Sequence, residues 1–381
     1  MIDIIIIALK RKGIKMVLKT KDFQESCKQI LIAVDGGSTE FEANKLELVA
    51  KNRELKLNVT NNEYLVTITS KLDTDVDDFR IVVDAVIFLN LISKITTDTI
   101  ELSVSGNNLI VKGNGTYKIA MTTDSKGVIT IEKITIDNVL KHFNISGDAL
   151  RSIVNNNSLD VAKANNVSSP IQKLYYVDEH GCLTFTTGAC VNAFELEQPV
   201  KMLLQDKVVK LFKLIKGDVV DFTFGIDDNH GTSQTKAKFA CDGVEIIAIL
   251  DSDKNNMEKF PTSAIRARAN DTYPYSISVD KQDVINACSR LMLLNPTDVN
   301  KDFGYLTFEN KTLKIEDTRK ENVEIIPLQN EIANEYSAIV NMSDLSKLFS
   351  NCTEQYVNLS FGNHEAMILS RGNIKNVIPE A

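Results

Sequence analysis

The chain has 381 residues, 43% apolar and 25% charged, with six cysteines, no tryptophan and a formal net charge of −8 at pH 7. That composition belongs to ordinary globular protein in two or three domains and excludes a disordered chain. The acidic balance excludes a protein that grips nucleic acid over its whole surface, but not one with a localised basic face.

Residues 1–15 (MIDIIIIALKRKGIK) stand outside any pattern seen later. The apolar run Ile4–Ala8 is too short to cross a membrane and has no small-residue cleavage site, so the segment reads as an N-terminal extension. From Lys21, the apolar Phe23, Cys27, Ile30 and Leu31 fall at helical spacing, with Asp22 in the first turn. After Gly36-Gly37-Ser38, the stretch from Lys45 to Ser70 alternates as several strands. A second helix is expected over Ala85–Ile95, followed by further strands. A second unit opens near Ile129, where Asp137 before Val139, Leu140 and Phe143 reads as the N-cap of a helix. Strands Leu174–Val177 and Leu183–Thr187 form a hairpin, and a helix runs over Asp206–Lys216. Asp251–Tyr275 reads as a linker, and a third unit starts with a strand and a helix bearing Val284, Ala287, Cys288 and Leu291 on one face.

One pattern recurs three times. Leu91–Val104 (LISKITTDTIELSV), Leu211–Phe224 (LFKLIKGDVVDFTF) and Leu348–Phe361 (LFSNCTEQYVNLSF) align without a gap, at intervals of about 120 and 137 residues. Each is a helix end running into an alternating strand. A period this long marks repeated domains, because solenoid repeats run about 20 to 50 residues. The fold class read from this is α+β, three tandem repeats of two helices packed on antiparallel sheets. The expected boundaries are 1–15 for the extension, 16–128 and 129–255 for the first two domains, and 256–381 for the linker and third domain.

Motifs for catalysis are lacking. There is no phosphate loop, no G-x-G-x-x-G and no H-E-x-x-H, so no catalytic residue, cofactor or metal site is assigned. Asp178, Glu179, His180 and Cys182 occupy a hairpin tip and read as turn chemistry, as do Asp227, Asp228 and His230. The cysteines are widely spaced without a C-x-x-C pair, which fits reduced core thiols and a cytoplasmic protein. More informative are the helices. Lys207, Lys210 and Lys213 run beside the apolar stripe of the Asp206–Lys216 helix, and Lys28, Lys94, Lys141, Arg290 and Lys347 are assigned to the other helices. Repetition on one side of the sheets would gather modest positive potential on one surface.

Tandem strand-helix-strand-helix domains with helices on one face resemble the bacterial beta sliding clamp, the processivity factor of the replicative DNA polymerase. VVKLFKLIKGDVVDFTF is similar to that family's second-domain helix and strand. Thr186–Cys190 (TTGAC) falls where the family carries T-D-G-H-R, with Thr187, Ala189 and Cys190 replacing its Asp, His and Arg. NMEKFPTSAI and the C-terminal NVIPEA also resemble family segments. The resemblance implies a non-catalytic head-to-tail homodimeric ring around double-stranded DNA, with Lys28, Lys94, Lys141, Lys207, Lys210, Lys213, Arg290 and Lys347 facing it. It implies contact of Tyr117 and Ile119 with Leu293 and Leu294 between subunits. It further implies that polymerase and clamp loader dock through short peptides in a cleft walled by Pro170, Thr186, Gly188, Val191, Pro261, Ile265, Val377, Ile378 and Pro379. A trimeric clamp with two domains per chain, a scaffold that binds no nucleic acid and an unrecognised hydrolase are the alternatives.

Overall fold

The computed structural model describes residues 15–380 apart from 36–41, 74, 75, 77, 125, 126, 129, 130, 132, 163–168, 228–232, 295–299, 301 and 364. The first repeat runs β1 (Lys15–Lys19), α1 (Thr20–Leu31), β2 (Lys45–Lys51), β3 (Glu54–Thr60), β4 (Tyr64–Lys71), β5 (Phe79–Asp84), α2 (Ala85–Ser93), β6 (Thr99–Ser105), β7 (Asn108–Lys112) and β8 (Thr116–Ala120). Two short strands, β9 (Thr123–Asp124) and β10 (Gly127–Val128), follow it. The second repeat gives β11 (Asn138–Ser146), α3 (Gly147–Asn156), β12 (Leu174–Asp178), β13 (Gly181–Phe185), β14 (Ala189–Asn192), β15 (Met202–Gln205), α4 (Asp206–Leu211), β16 (Val219–Asp227), β17 (Gln234–Cys241) and β18 (Val244–Ile249). Two helices, α5 (Lys254–Lys259) and α6 (Thr262–Ala269), occupy the expected linker. The third repeat is β19 (Tyr275–Asp280), α7 (Lys281–Leu294), β20 (Phe303–Asp317), β21 (Val323–Asn341), α8 (Met342–Ser350), β22 (Tyr356–Phe361), β23 (Ala366–Arg371) and β24 (Ile374–Pro379).

The sheets reveal how the repeats are joined. A four-stranded sheet has the order β1-β6-β7-β8, and an eight-stranded one the order β11-β16-β17-β18-β4-β3-β2-β5. In the latter, the last strand of the second repeat, β18, lies antiparallel to β4 of the first, Val244 facing Ile68 and Ile246 facing Val66. A second eight-stranded sheet, β15-β12-β13-β14-β24-β23-β22-β19, repeats the scheme with β24 of the third repeat against β14 of the second. The last strand of one repeat therefore always meets the strand equivalent to β4 of the repeat before it.

β20 and β21 hide the same four-strand plan. Phe303–Phe308 pairs with Tyr336–Asn341 and Thr312–Glu316 with Val323–Pro327, the register shifting at Asn310. Asn310 has a left-handed φ of 51°, Lys314 Nζ reaches back to Glu309 Oε1 at 2.6 Å, and the Gly304 Cα faces the Glu316 carbonyl. β20 thus doubles back at Asn310. The order is that of β5-β2-β3-β4, and residues 323–328 occupy the position of β4 at its edge. Among the described residues, that edge and β8 are the two junction edges left without a partner strand.

By compactness the chain divides into two units, residues 1–144 with 213–250 and residues 145–212 with 251–381, each containing one junction. In the first, α1 packs on α2 through an edge-on contact of Phe23 with Phe88 at 6.1 Å. Gln24 donates to the carbonyls of Ile92 and Ile95 and closes the C-terminus of α2, and Asp84 caps its N-terminus through Ile87 N–H. The second holds a core in which Phe308 stacks on Phe361 at 4.1 Å, beneath α7 and α8.

Two expectations fail. The segment after Asp137 is the strand β11, not a helix, so Lys141 does not sit on a helix. Phe143 and Ile145 turn inward two residues apart, while Val139 and Leu140 stay 53% and 46% exposed, the pattern of a strand with a wet start. The helix of this repeat is α3, capped by Ser146 through Ala149 N–H. The Asp206–Lys216 helix is shorter than expected, ending as α at Leu211 with one 3-10 turn over Phe212–Leu214.

Candidate partner cleft and basic surface

At the β14–β24 junction, Thr186, Gly188, Val377, Ile378 and Pro379 border a cavity of about 460 Å³. The turn before β14 is closed by Thr186 N–H donating to the Gly188 carbonyl at 2.8 Å. A Cβ on Gly188 would lie 2.6 Å from the Val377 carbonyl, so only glycine lets β24 approach here. The opposite wall comes from the third repeat through Phe303, Asn341, Asp344, Lys347 and Leu348, and the floor from Leu159 and Asp160. None of these seven was assigned to the cleft by the sequence, which placed Lys347 among the DNA-facing cations instead.

Val191 and Ile265 lie in the apolar layer beside this cavity, together with Val377. Phe260 anchors the layer, stacked on Tyr176 at 5.1 Å and edge-on to Phe185 at 5.2 Å, which ties α5 and α6 to the sheet. Pro261 is half-buried and precedes α6. Pro170 is exposed and opens a 3-10 turn whose next residue, Ile171, joins the layer. Ala189 packs into that layer too, whereas Cys190 is fully buried on the other face of β14. Val377–Pro379 belong to β24, a central strand, with Ile378 in the third-repeat core. Truncation at Val377 would therefore break the sheet as well as the cavity.

A buried polar seam backs the cavity. Asn376 Nδ2 donates to Asp160 Oδ2 at 3.0 Å, and Arg371 donates to Asn376 Oδ1 at 3.0 Å and to the Asn351 carbonyl at 2.8 Å. Asp160 is only 7% exposed. Burial pushes its carboxyl up to about 7, with a further rise from Asp344, against the lowering pull of Asn376 and Arg371. The Cys190 thiol next to it is held well above its usual range by burial.

At the hairpin tip Asp178 is fully engaged, whereas Glu179 Oε2 is buried without a hydrogen-bond partner among the described residues. Asp178 is gripped by both Nη atoms of Arg266 at 2.8 and 2.6 Å and accepts from His180 N–H. Among the described residues no group of three or more His, Cys, Asp or Glu could hold a metal ion, and no helix is long and apolar enough to cross a membrane. Asp227 forms a buried pair with Lys236, while Asp228 and His230 lie outside the described residues.

The expected DNA-facing cations are unequal. Lys28, Lys94, Lys207 and Lys213 are exposed. Lys210 pairs with Asp206, Lys347 with Asp344 at the rim of the cavity, and Arg290 is held by both oxygens of Glu324 at 2.7 Å. Lys141 sits half-buried on β11. On β8, Ile119 turns into the core at 6% exposure and Tyr117 is half-buried. Leu293 and Leu294, ending α7, are 76% and 58% exposed. The free edge at 323–328 carries Val323 and Ile325, also exposed, while Glu324 faces α7 through Arg290.

Tandem α+β repeats fused edge to edge in this strand order constitute the DNA sliding-clamp fold. No protein-family model matches the sequence, and no curated relative does. Among solved structures the chain is similar to the Pseudomonas aeruginosa sliding clamp, DNA polymerase III subunit beta, bound to griselimycin, with TM-score 0.81 and 15% identity over 97% of this chain and 99% of that one. It is similar to the Bacillus subtilis DNA polymerase sliding clamp with TM-score 0.79 and 15% identity over the same shares. The Borrelia burgdorferi subunit beta in complex with a natural product gives TM-score 0.80 and 13% identity, again over 97% and 99%.

Proposed function

We propose that this chain is a sliding clamp, a non-catalytic cytoplasmic protein that closes head to tail with a second copy around duplex DNA and tethers a replicative polymerase and its clamp loader. The observation that carries the reading is the junction rule. Two junctions of the same kind are made within the chain, and a third would pair β8 of one copy with residues 323–328 of the next. Such a contact is heterologous, and it closes when the rotation permits. It would also cover two sheet edges that otherwise invite indiscriminate pairing. Tyr117 and the inward-turned Ile119 lie on β8 itself, and Leu293 and Leu294 end α7, whose Arg290 holds Glu324 of the other edge. Three repeats per chain favour a dimer over a trimer of two-repeat chains, with divisions at 16–128, 129–255 and, for the linker and third repeat together, 256–381.

A closed ring holds DNA by topology, so weak and sequence-blind attraction from a few lysines is sufficient, and an acidic exterior is no obstacle. The cleft at the β14–β24 junction, apolar along Val191, Ile265 and Val377, is the site we assign to partner peptides. Loading onto a nicked circular plasmid followed by linearisation tests the function. A clamp stays bound to the circle at salt that strips ordinary binders and slides off the linear form. Equal retention on both overturns the reading.

A further inference from the structure

The cavity is mostly apolar, yet its floor carries a carboxylate with one oxygen at the cavity. Asp160 Oδ2 accepts from Asn376, whereas Oδ1 accepts no hydrogen bond from any described residue and borders the cavity beside Gly188. A buried charge without a cation against it is expensive, and the cations nearby direct their terminal donors elsewhere, the Arg371 Nε having no partner among the described residues. Arg371 of β23 spends its Nη donors on Asn351 and Asn376 and reaches Asp160 only through the latter. Lys347 of α8 is paired with Asp344 at 3.1 Å, and Asp344 adds negative charge from the third-repeat wall. On β14, Cys190 is a neutral thiol.

We propose that the cleft selects a partner segment with a lysine or arginine beside its apolar anchors, the cation entering the cavity to meet Asp160 Oδ1. This rests on the reading of the cleft as a peptide site and adds its chemical selectivity. The incoming cation stabilises the ionised carboxyl, so binding expels the proton that Asp160 holds in the free protein below about pH 7. The preference for the cation consequently strengthens as pH rises toward that value and levels off above it.

The test uses fluorescein-labelled leucine pentapeptides in which lysine, or its uncharged counterpart norleucine, replaces leucine at each position in turn. Anisotropy titrations with the full chain should give at least one position at which lysine binds tenfold or more tighter than norleucine near pH 8. That gap should shrink near pH 6, and in Asp160→Asn it should close while the norleucine peptide still binds. The pH profile of the unaltered protein serves where the substitution disturbs folding. Equal affinity of lysine and norleucine peptides at every position overturns the proposal, as does a gap that survives in a folded Asp160→Asn. If neither series binds at any pH, it is the peptide reading of the cleft that falls, and the selectivity with it.

Discussion

The two junctions within the chain share a backbone plan and differ in almost everything laid over it. At β18–β4 the outer face of the sheet is polar: Thr67 donates to Asn58, which donates to Glu47, which in turn holds Arg80, with Lys238, Glu245 and Thr223 completing the row. An extended segment around Ile134 and Ile136 lies along it. At β14–β24 the corresponding face is apolar, and two helices rather than an extended strap cover it through Phe260 and Ile265. Main-chain pairing joins the repeats in both places. Side chains decide that one seam borders a cavity of about 620 Å³ walled by a hydrogen-bonded polar row, while the other borders one of about 460 Å³ beside an apolar layer.

The harshest way to break this comparison is to attack the third junction proposed between copies. Changing both Leu293 and Leu294 to Asp should convert a species of twice the chain mass into folded monomers at micromolar concentration, read by light scattering. An unaltered dimer would show that the edge at 323–328 is not the contact. Next comes Phe260→Ala, which removes the anchor of α5 and α6 and should cost about 3–5 kcal/mol in chemical denaturation. A loss below about 1 kcal/mol would mean that the helices are held elsewhere.

The buried acid of the second junction gives a pH test. Asp160 has its folded pKa raised to about 7, so between about pH 4 and 7 the native state holds a proton that the unfolded chain has released. Stability from this group is greatest at the acid end of that window and falls as pH rises through it, by up to about 4 kcal/mol. Asp160→Asn should flatten that slope in melts taken across the window. At the first junction, Glu47→Gln weakens the hold on Arg80 and should cost about 1–3 kcal/mol. The smallest expected effect is on DNA. Lys207, Lys210 and Lys213 changed together to Glu should lower the salt dependence of DNA association by a slope of about one to three, because each phosphate contact contributes roughly −0.9. An unchanged slope in a dimeric variant would assign these lysines to a solvated outer face.

Much of the fold was legible because its signals are local. The alternation at Ile100, Val220 and Val357 and the apolar stripes of α1, α2, α7 and α8 name their elements without tertiary knowledge. β11 was not legible, since Val139, Leu140 and Phe143 mimic a helical period while the true helix start, Ser146, is a single cap in a polar run. The doubling of β20 turns on one residue, Asn310, with a positive φ and no flanking glycine. Motif position pointed to Thr186, Gly188, Val377, Ile378 and Pro379, which border the cavity. It did not point to Asp160, Phe303 and Asn341, because their roles arise only when segments far apart in sequence pack together. Pro170 is exposed because its neighbour Ile171 occupies the apolar layer instead.

The junction rule also bears on where a closed assembly gives way. The β18–β4 and β14–β24 ladders are tethered by the chain itself, so a ruptured one re-forms at an effective concentration set by a short connection, in the millimolar range. A β8 contact with residues 323–328 of another copy has no such tether. Once one of the two equivalent contacts between copies parts, only the other keeps the halves together, and reclosure must wait for a larger excursion. In a closed dimer, opening is thus confined kinetically to the seams between copies, however alike the four-strand edges are. A cysteine pair placed across that seam should, when oxidised, abolish loading onto closed circular DNA. The same pair across β18–β4 should leave loading intact.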